Sequence, residues 1–354
     1  MNDLINILKY SPFEFDKRRK EKFFQNLQKK LTNHHFAKCK KYFKILNLLK
    51  YKKNNKYKIF EFPFLPVRLF KKYNLISLPK KNIVKTITSS GTSGETTSKI
   101  FLDRQNSDMQ IKVLAKIITN YIGHKRLPLL IIDTKSTATN RKIFSARGAA
   151  ILGFSIFGYD ITYALNDDLS LNVSEIDRFF NKYKNNNCLI FGFTYLIWQN
   201  FYKNLIKLNK KCLFKNGIVL HGGGWKKMDR QKVSNVDFKK SIKKMLGVKN
   251  IFNYYGMAEQ TGSIFVECEK GFLHCSIFSD ILIRDKKFVN CKFNEYGLIQ
   301  LLSLLPTSYP GHNILSEDLG KIVGEDDCKC GRLGKYFIVK GRLKDAELRG
   351  CSDV

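Results

Sequence analysis

Thr88-Ser-Ser-Gly-Thr-Ser-Gly-Glu-Thr-Thr-Ser-Lys99 follows a short apolar, β-branched run containing Ile83, Val84 and Ile87. This reads as a strand that ends in a loop. The hydroxyl side chains Ser89, Ser90, Thr92 and Ser93, with the backbone N–H groups around Gly91 and Gly94, can wrap a phosphate chain. Lys99 adds a fixed positive charge at the far end. Gly91 and Gly94 stand too close together for the Gly-x4-Gly-Lys-Ser/Thr loop of common nucleotide hydrolases. On its own such a stretch is more often a mobile linker, so its meaning depends on the rest of the chain.

The chain has 354 residues, 44% of them hydrophobic, enough for a large core and more than one domain. Its apolar runs, Leu127–Ile132 and Leu189–Trp198 among them, fall well short of the ~20 residues of a membrane helix. Lys9 and Tyr10 interrupt any signal-peptide apolar block. Nine cysteines without regular spacing argue against a disulfide framework, and a reduced, cytoplasmic protein is expected.

The formal charge is +33, and residues 1–82 carry +17 of it, with 22 Lys and Arg against 5 Asp and Glu. The cations are overwhelmingly lysine. Arg-poor charge fits poorly with bidentate base reading, so no nucleic-acid partner is expected. Attraction of anionic substrates or partners is a secondary consequence.

Helical spacing marks 17–31 (Phe23, Phe24, Leu27, Leu31) and 34–49 (Phe36, Tyr42, Phe43, Leu46, Leu49). Phe62-Pro-Phe-Leu-Pro-Val-Arg-Leu-Phe70 then forbids regular helix. From residue 83 short apolar strands (Leu129–Ile132, Ser155–Tyr159, Cys188–Phe191, Ile218–Leu220, Val248–Phe252) alternate with helices at 105–122, 174–184, 194–208 and 229–246. Asn172, Thr194 and Asp229 are N-cap candidates. The alternation predicts an α/β domain with a largely parallel sheet and ligand loops at the strands' C-terminal ends. Beyond residue 262 only short strands follow. The expected organisation is a basic helical lead-in (1–82), an α/β core (83–262), a small β subdomain (263–340) and a tail (341–354).

Two more stretches fall where strands should end. Leu220-His-Gly-Gly-Gly-Trp225 sets Gly222, Gly223 and Gly224 against whatever docks there; glycine lets a flat ring lie on the backbone, although a tight turn would use the same residues. Phe252-Asn-Tyr-Tyr-Gly-Met-Ala-Glu-Gln-Thr261 brings together Tyr255, Gly256 and Glu259. Its spacing resembles the Tyr-Gly-x-Thr/Ser-Glu motif of adenylate-forming enzymes, which make acyl-AMP from a carboxylate and ATP. The loop at 88–99 is similar to the phosphate loop of those enzymes. The likeness implies that Tyr255 lies near adenine and that Glu259 helps hold a magnesium ion bridging the phosphates. Ala258 stands where those enzymes have a hydroxyl, so its hydrogen bond to phosphate or carboxylate is either missing or made by Thr261. Asp318 matches the aspartate that grips the ribose hydroxyls. Gly341-Arg-Leu-Lys-Asp345 matches the hinge motif, with Arg342 reaching ribose or α-phosphate. The fold implied is the N-terminal domain of adenylate-forming enzymes: parallel-rich sheets, flanking helices and a small β subdomain.

Outside these motifs, His34-His35, Cys39, Tyr42, the 62–70 segment, His221-Gly-Gly-Gly-Trp225 and Glu347-Leu-Arg-Gly-Cys-Ser352 resemble the acyl-protein synthetases. These are the fatty-acid-activating subunits of the bacterial bioluminescence fatty-acid reductase complex. The resemblance implies that a fatty acid or other carboxylate and ATP give acyl-AMP. The acyl group then passes to Cys351, whose thiolate Arg349 could favour, and on to an acyl-CoA-reductase-like protein partner. Larger relatives continue past the hinge motif into a mobile domain carrying a catalytic lysine. This chain stops at Val354, so that domain is expected to be absent, and adenylation to rely on Lys99, Arg342 or Lys344, or on a partner. Cys268, His274, Cys328 and Cys330 have the residue types of a structural zinc site, similar to one in phenylacetate-CoA-ligase-like relatives, with Cys275 a competing ligand and unligated buried thiols the alternative. Two other readings stay open: a carboxylate–CoA or carrier-protein ligase, and a non-catalytic assembly protein that keeps the nucleotide fold.

Overall fold

The computed structural model describes residues 6–89, 97–139, 145–225 and 233–343. Strands β1 to β5 are Leu65–Pro66, Lys85–Thr88, Lys99–Leu102, Leu127–Thr134 and Gly158–Leu165. They continue with β6 to β10 at Asn187–Phe193, Asn216–Gly222, Asn250–Tyr255, Phe265–Glu267 and Leu273–His274. The last four, β11 to β14, are Ser279–Arg284, Gly297–Ser303, Asn313–Glu325 and Lys335–Arg342. The principal helices α1 to α6 are Lys17–Lys38, Lys40–Leu48, Arg104–Ile122, Ala146–Ser155, Val173–Tyr183 and Asn235–Leu246. These elements form two compact units, one drawn from Met1–Ser89, Thr96–Asn120 and Gly256–Glu347, the other centred on Tyr121–Tyr255.

In the second unit five parallel strands pair in the order β5-β4-β6-β7-β8. Every residue of β4 is buried, as are all of β6 but Asn187. Such continuous apolar runs are what a strand covered on both faces requires. Helix α5 starts on Asn172, whose side chain accepts from Glu175 N, and buries Ile176, Phe179 and Tyr183. Helix α6 starts on Ser234 and stops at Gly247, which takes φ +67°. Arg147 of α4 donates through Nε and Nη2 to Asp133 at the end of β4, at 2.7 and 2.6 Å, a buried bidentate pair. The parallel order places Thr134, Thr194, Gly222 and Tyr255 at or beside the C-terminal ends of β4, β6, β7 and β8, the edge where ligands bind in open α/β sheets.

The first unit carries an antiparallel sheet ordered β11-β12-β13-β14-β10-β9, with β1 added in parallel to β13. Helix α1 buries Phe24, Leu27, Gln28, Leu31, Thr32 and His35 along one stripe. The polar members of that stripe are all bonded. Gln28 Nε2 donates to Ser303 O and His312 O, and Thr32 Oγ1 meets His312 Nε2 at 3.0 Å. His35 Nε2 donates to Pro306 O at 3.0 Å, so Nδ1 accepts the Ser77 hydroxyl at 2.8 Å. The lead-in helix therefore forms core with residues 303–312.

Several boundaries differ from expectation, among them the N-cap at Phe193 rather than Thr194. The second predicted helix is split at Cys39, whose extended backbone ends α1 and precedes α2. The strand expected at Ser155–Tyr159 starts only at Gly158, because α4 runs through Ser155. A Cβ on Gly158 would lie 2.5 Å from Leu129 side-chain carbons, so the glycine is set by the approach of β4. Finally, α6 is capped by Ser234 rather than Asp229, which is outside the described residues. No described helix is long and apolar enough to cross a membrane.

Candidate active site

Strands β2 and β3 pair antiparallel from Lys85↔Leu102 to Thr88↔Lys99, so in sequence the Ser/Thr/Gly stretch links two paired strands. Two serines close the described end of that pair. Ser89 N donates to Ser98 O at 3.0 Å, and Ser98 N donates to Ser89 Oγ at 2.9 Å. Lys99 is exposed on β3. Ser90, Gly91, Thr92, Ser93 and Gly94 lie outside the described residues, as do Lys344, Arg349 and Cys351.

The glycine triplet separates into three roles. A Cβ on Gly222 would fall 2.4 Å from Cε1 of Tyr254, so the ring packed on this glycine is the protein's own. Tyr254 is held there by Phe154 at 5.1 Å and Phe191 at 6.4 Å between centroids. Gly223 has φ +81°, which disfavours any side chain. Among the described residues, a Cβ on Gly224 would meet nothing within 4 Å. Beside them, Thr194 Oγ1 gives its one proton to Gly222 O at 3.1 Å and so accepts from His221 Nδ1 at 2.9 Å. This fixes the His221 tautomer. Burial pushes its pKa down to about 3, and Nε2 has no partner among the described residues. Tyr255, last in β8, is half-buried.

In the first unit Gly256 lies against Ile264, and Ala258–Gln260 form a single 3-10 turn. Glu259 is buried, with a side chain from a turn clamped on both sides. Tyr309 OH donates to Glu259 O at 2.9 Å, and Gln260 Nε2 donates to Leu301 O and Gly311 O. A Cβ on Gly311 would stand 2.7 Å from Glu259 O, so the turn tolerates only glycine there. Asp318 on β13 is the register partner of Arg342 on β14. Arg342 Nη2 donates to Glu317 Oε2 at 2.6 Å, and Arg68 Nε pairs with Glu317 Oε1. Arg68 follows β1, which is fastened to β13 by Val67 N donating to Leu315 O. Glu317, Arg68 and Ser98 in the first unit, and His221 in the second, thus support the residues picked from the motifs. Sequence reasoning did not select these four as site residues, although Arg68, Ser98 and His221 lie inside the quoted stretches and Glu317 beside Asp318.

Cys268, His274, Cys328 and Cys330 bring one ligand atom each to within 4.8 Å of one another. Cys268 Sγ is 4.0 Å from Cys328 Sγ, and Cys330 Sγ is 3.3 Å from His274 Nε2. Two similar turns present the sulfurs. Gly271 N donates to Cys268 O and Gly331 N to Cys328 O, both at 2.9 Å, with φ +84° and +81° at the two glycines. Lys270 N also points at Cys268 Sγ, at 3.4 Å. Tyr336 stacks on the His274 ring, and burial lowers the His274 pKa to about 4, leaving a neutral imidazole. Three thiols and an imidazole, converging and mostly buried, fit a tetrahedral metal. Cys275 is not in the group; its backbone N–H is tied to Lys335 O.

The fold is that of the adenylate-forming ligases. An open conformation of 2-hydroxyisobutyryl-CoA ligase in complex with 2-HIB-AMP and CoA superposes with a TM-score of 0.71 at 12% identity, covering 94% of this chain and 76% of that one. The same ligase in its postadenylation state gives 0.73 at 12%, covering 94% and 69%. The amide bond synthetase McbA from Marinactinospora thermotolerans gives 0.50 at 11%, covering 77% and 52%. The chain itself belongs to the acyl-protein synthetase family: the family model "Acyl-protein synthetase, LuxE" matches residues 1–354. It is therefore an enzyme of the ligase type. Among curated protein sequences none matches.

Proposed function

We propose that this enzyme activates a fatty acid with ATP and passes the acyl group, through acyl-AMP, to the thiol of Cys351. The observation that carries the nucleotide reading is the pairing of Asp318 with Arg342 across β13 and β14. A carboxylate there can accept a hydrogen bond from each ribose hydroxyl, while a guanidinium directed by Glu317 meets the ribose or α-phosphate. Gly224, where a Cβ would meet nothing among the described residues, would carry the base, and Tyr255 would lie near that base. The stretch from Ser90 to Gly94, which in sequence lies between the hydrogen-bonded pair Ser89 and Ser98, takes the phosphates through its N–H and O–H groups, with Lys99 following it.

Glu259, buried on a clamped turn, would hold magnesium, which neutralises phosphate charge when bound. Cys268, His274, Cys328 and Cys330 would hold a structural zinc that joins the β9–β10 and β13–β14 turns. In the first step a carboxylate oxygen bonds to the α-phosphorus and pyrophosphate leaves. In the second the Cys351 sulfur bonds to the acyl carbon, the C–O bond to AMP breaks, and the thiol proton goes to solvent. A reductase that takes the acyl group onward is part of the same reading, as is a cytoplasmic location.

The test has two parts. Carboxylate-dependent ATP–pyrophosphate exchange is expected, together with a hydroxylamine-labile acyl label on the protein that Cys351→Ala loses. A label that survives in Cys351→Ala refutes the acceptor but not the adenylation. The likeness to a CoA ligase favours a second reading, acyl transfer to CoA. Turnover of added CoA without self-labelling would establish it, whereas no exchange with any acid would leave only a non-catalytic role.

A further inference from the structure

The loop between β11 and β12 turns its apolar side chains outward. Asp285 N donates to Val289 O, Phe288 N donates to Asp285 O, and Asp285 Oδ1 accepts from Lys287 N and Val289 N. In this tight turn Phe288 takes φ +62°, a conformation in which glycine or asparagine would be less strained. The chain nevertheless puts a phenylalanine there, 51% exposed, followed by Val289 at 59%. Phe293 and Tyr296, farther along the loop, are 45% and 48% exposed. Arg284 anchors the tip from beneath, donating to Phe288 O and to Phe60 O, and Phe64 packs 5.9 Å from the Phe288 ring. The side chains are displayed by a fixed turn.

Lysines surround them. Lys286, Lys287 and Lys292 are exposed or half-exposed in the same loop. Lys321 and Lys340 stand 5.3 and 5.0 Å from the Tyr296 ring, and Lys58 lies 5.8 Å from that of Phe60. The loop's two carboxylates, Asp285 and Glu295, accept backbone N–H groups of the loop itself, Glu295 from Lys292 N. The outward charge is therefore positive. Phenylalanine and valine offer no hydrogen bond, so they gain chiefly by leaving water for hydrocarbon, while lysine ammonium groups gain from phosphate charge at its edge.

We propose that this loop is a peripheral membrane-docking element, which inserts Phe288 and Val289 into an anionic bilayer surface and sets Lys286, Lys287, Lys292, Lys321 and Lys340 against its headgroups. The docking needs no turnover, so it stands or falls apart from the acyl-transfer reading.

The test is flotation of the full chain with vesicles of phosphatidylcholine alone and of phosphatidylcholine containing phosphatidylglycerol. Wild type floats with the anionic vesicles and much less with the neutral ones, and raised salt releases it. Phe288→Gly combined with Val289→Ser lowers the partition coefficient at least about tenfold. Because glycine suits φ +62°, this variant melts no lower than wild type, which separates lost docking from lost folding. Lys286→Glu with Lys287→Glu removes the preference for anionic lipid. The proposal is overturned if wild type stays with neither vesicle, if the Phe288/Val289 variant floats as wild type does, or if the loop variants instead lose binding to an oligonucleotide while vesicles are ignored.

Discussion

Arg342 Nη2 sits 2.6 Å from Glu317 Oε2, and the other oxygen of that carboxylate takes Arg68 Nε. One carboxylate thus aims the guanidinium expected at the nucleotide. Glu317→Gln should cost about 1–3 kcal/mol in urea denaturation, at the lower end because Arg68 is half exposed. It should also slow pyrophosphate exchange about ten- to a hundredfold by releasing Arg342 from its orientation. Unchanged exchange in a folded Glu317→Gln would remove Arg342 from the site.

The glycine triplet gives a prediction in which neighbours behave differently. Gly222→Ala drives a Cβ into the Tyr254 ring and should destabilise by about 1–3 kcal/mol. Gly224→Ala meets nothing among the described residues and should leave stability within about 0.5 kcal/mol. If the base lies on Gly224, that same variant raises the KM for ATP. An unaltered KM would place the base elsewhere.

Buried histidines should make stability fall in mild acid. Burial holds His221 and His312 at about 3, against an ordinary value of 6.5, so the native chain refuses a proton that the unfolded chain accepts. Their contribution is complete above about pH 6.5 and is lost as pH falls from there towards 3, at about 1.4 kcal/mol per pH unit for each. Denaturation measured at a series of pH values checks this. His221→Asn should flatten the slope by one proton's worth; an unchanged slope would mean that the native imidazole already protonates.

For the cysteine–histidine cluster, extensively dialysed protein should retain about one equivalent of zinc. Cys330→Ser or His274→Ala should lose it, and a strong chelator should lower the melting temperature. Cys275→Ser should keep the metal, since Cys275 stands outside the cluster. Less than about a tenth of an equivalent in the wild type would refute the site.

The sequence was most legible where one stretch suffices. Continuous apolar runs such as Leu127–Ile132 announced buried parallel strands, and the order of the motifs announced an adenylate-forming fold. The cysteine and histidine types at 268–274 and 328–330 announced a cluster, which the two glycine-ended turns then bring within reach. Local pattern is enough in such cases because the burial of each side chain follows the strand or turn it belongs to.

Other features depended on partners far apart in the chain. Thr88 pairs with Lys99, and Ser98 bonds back to Ser89, which the Ser/Thr/Gly pattern alone did not reveal. Gly222 is glycine because Tyr254 on the next strand lies over it, a demand no spacing rule reveals. Gln28, Thr32 and His35 look like surface residues on a basic helix, yet they are buried because residues 303–312 supply their hydrogen bonds. The sequence alone determined the class of fold and the candidate chemistry, through periodicity and motif. Only the tertiary structure decided which polar groups aim and clamp those residues, since a buried polar side chain is tolerable only where a distant part of the chain completes its bonds.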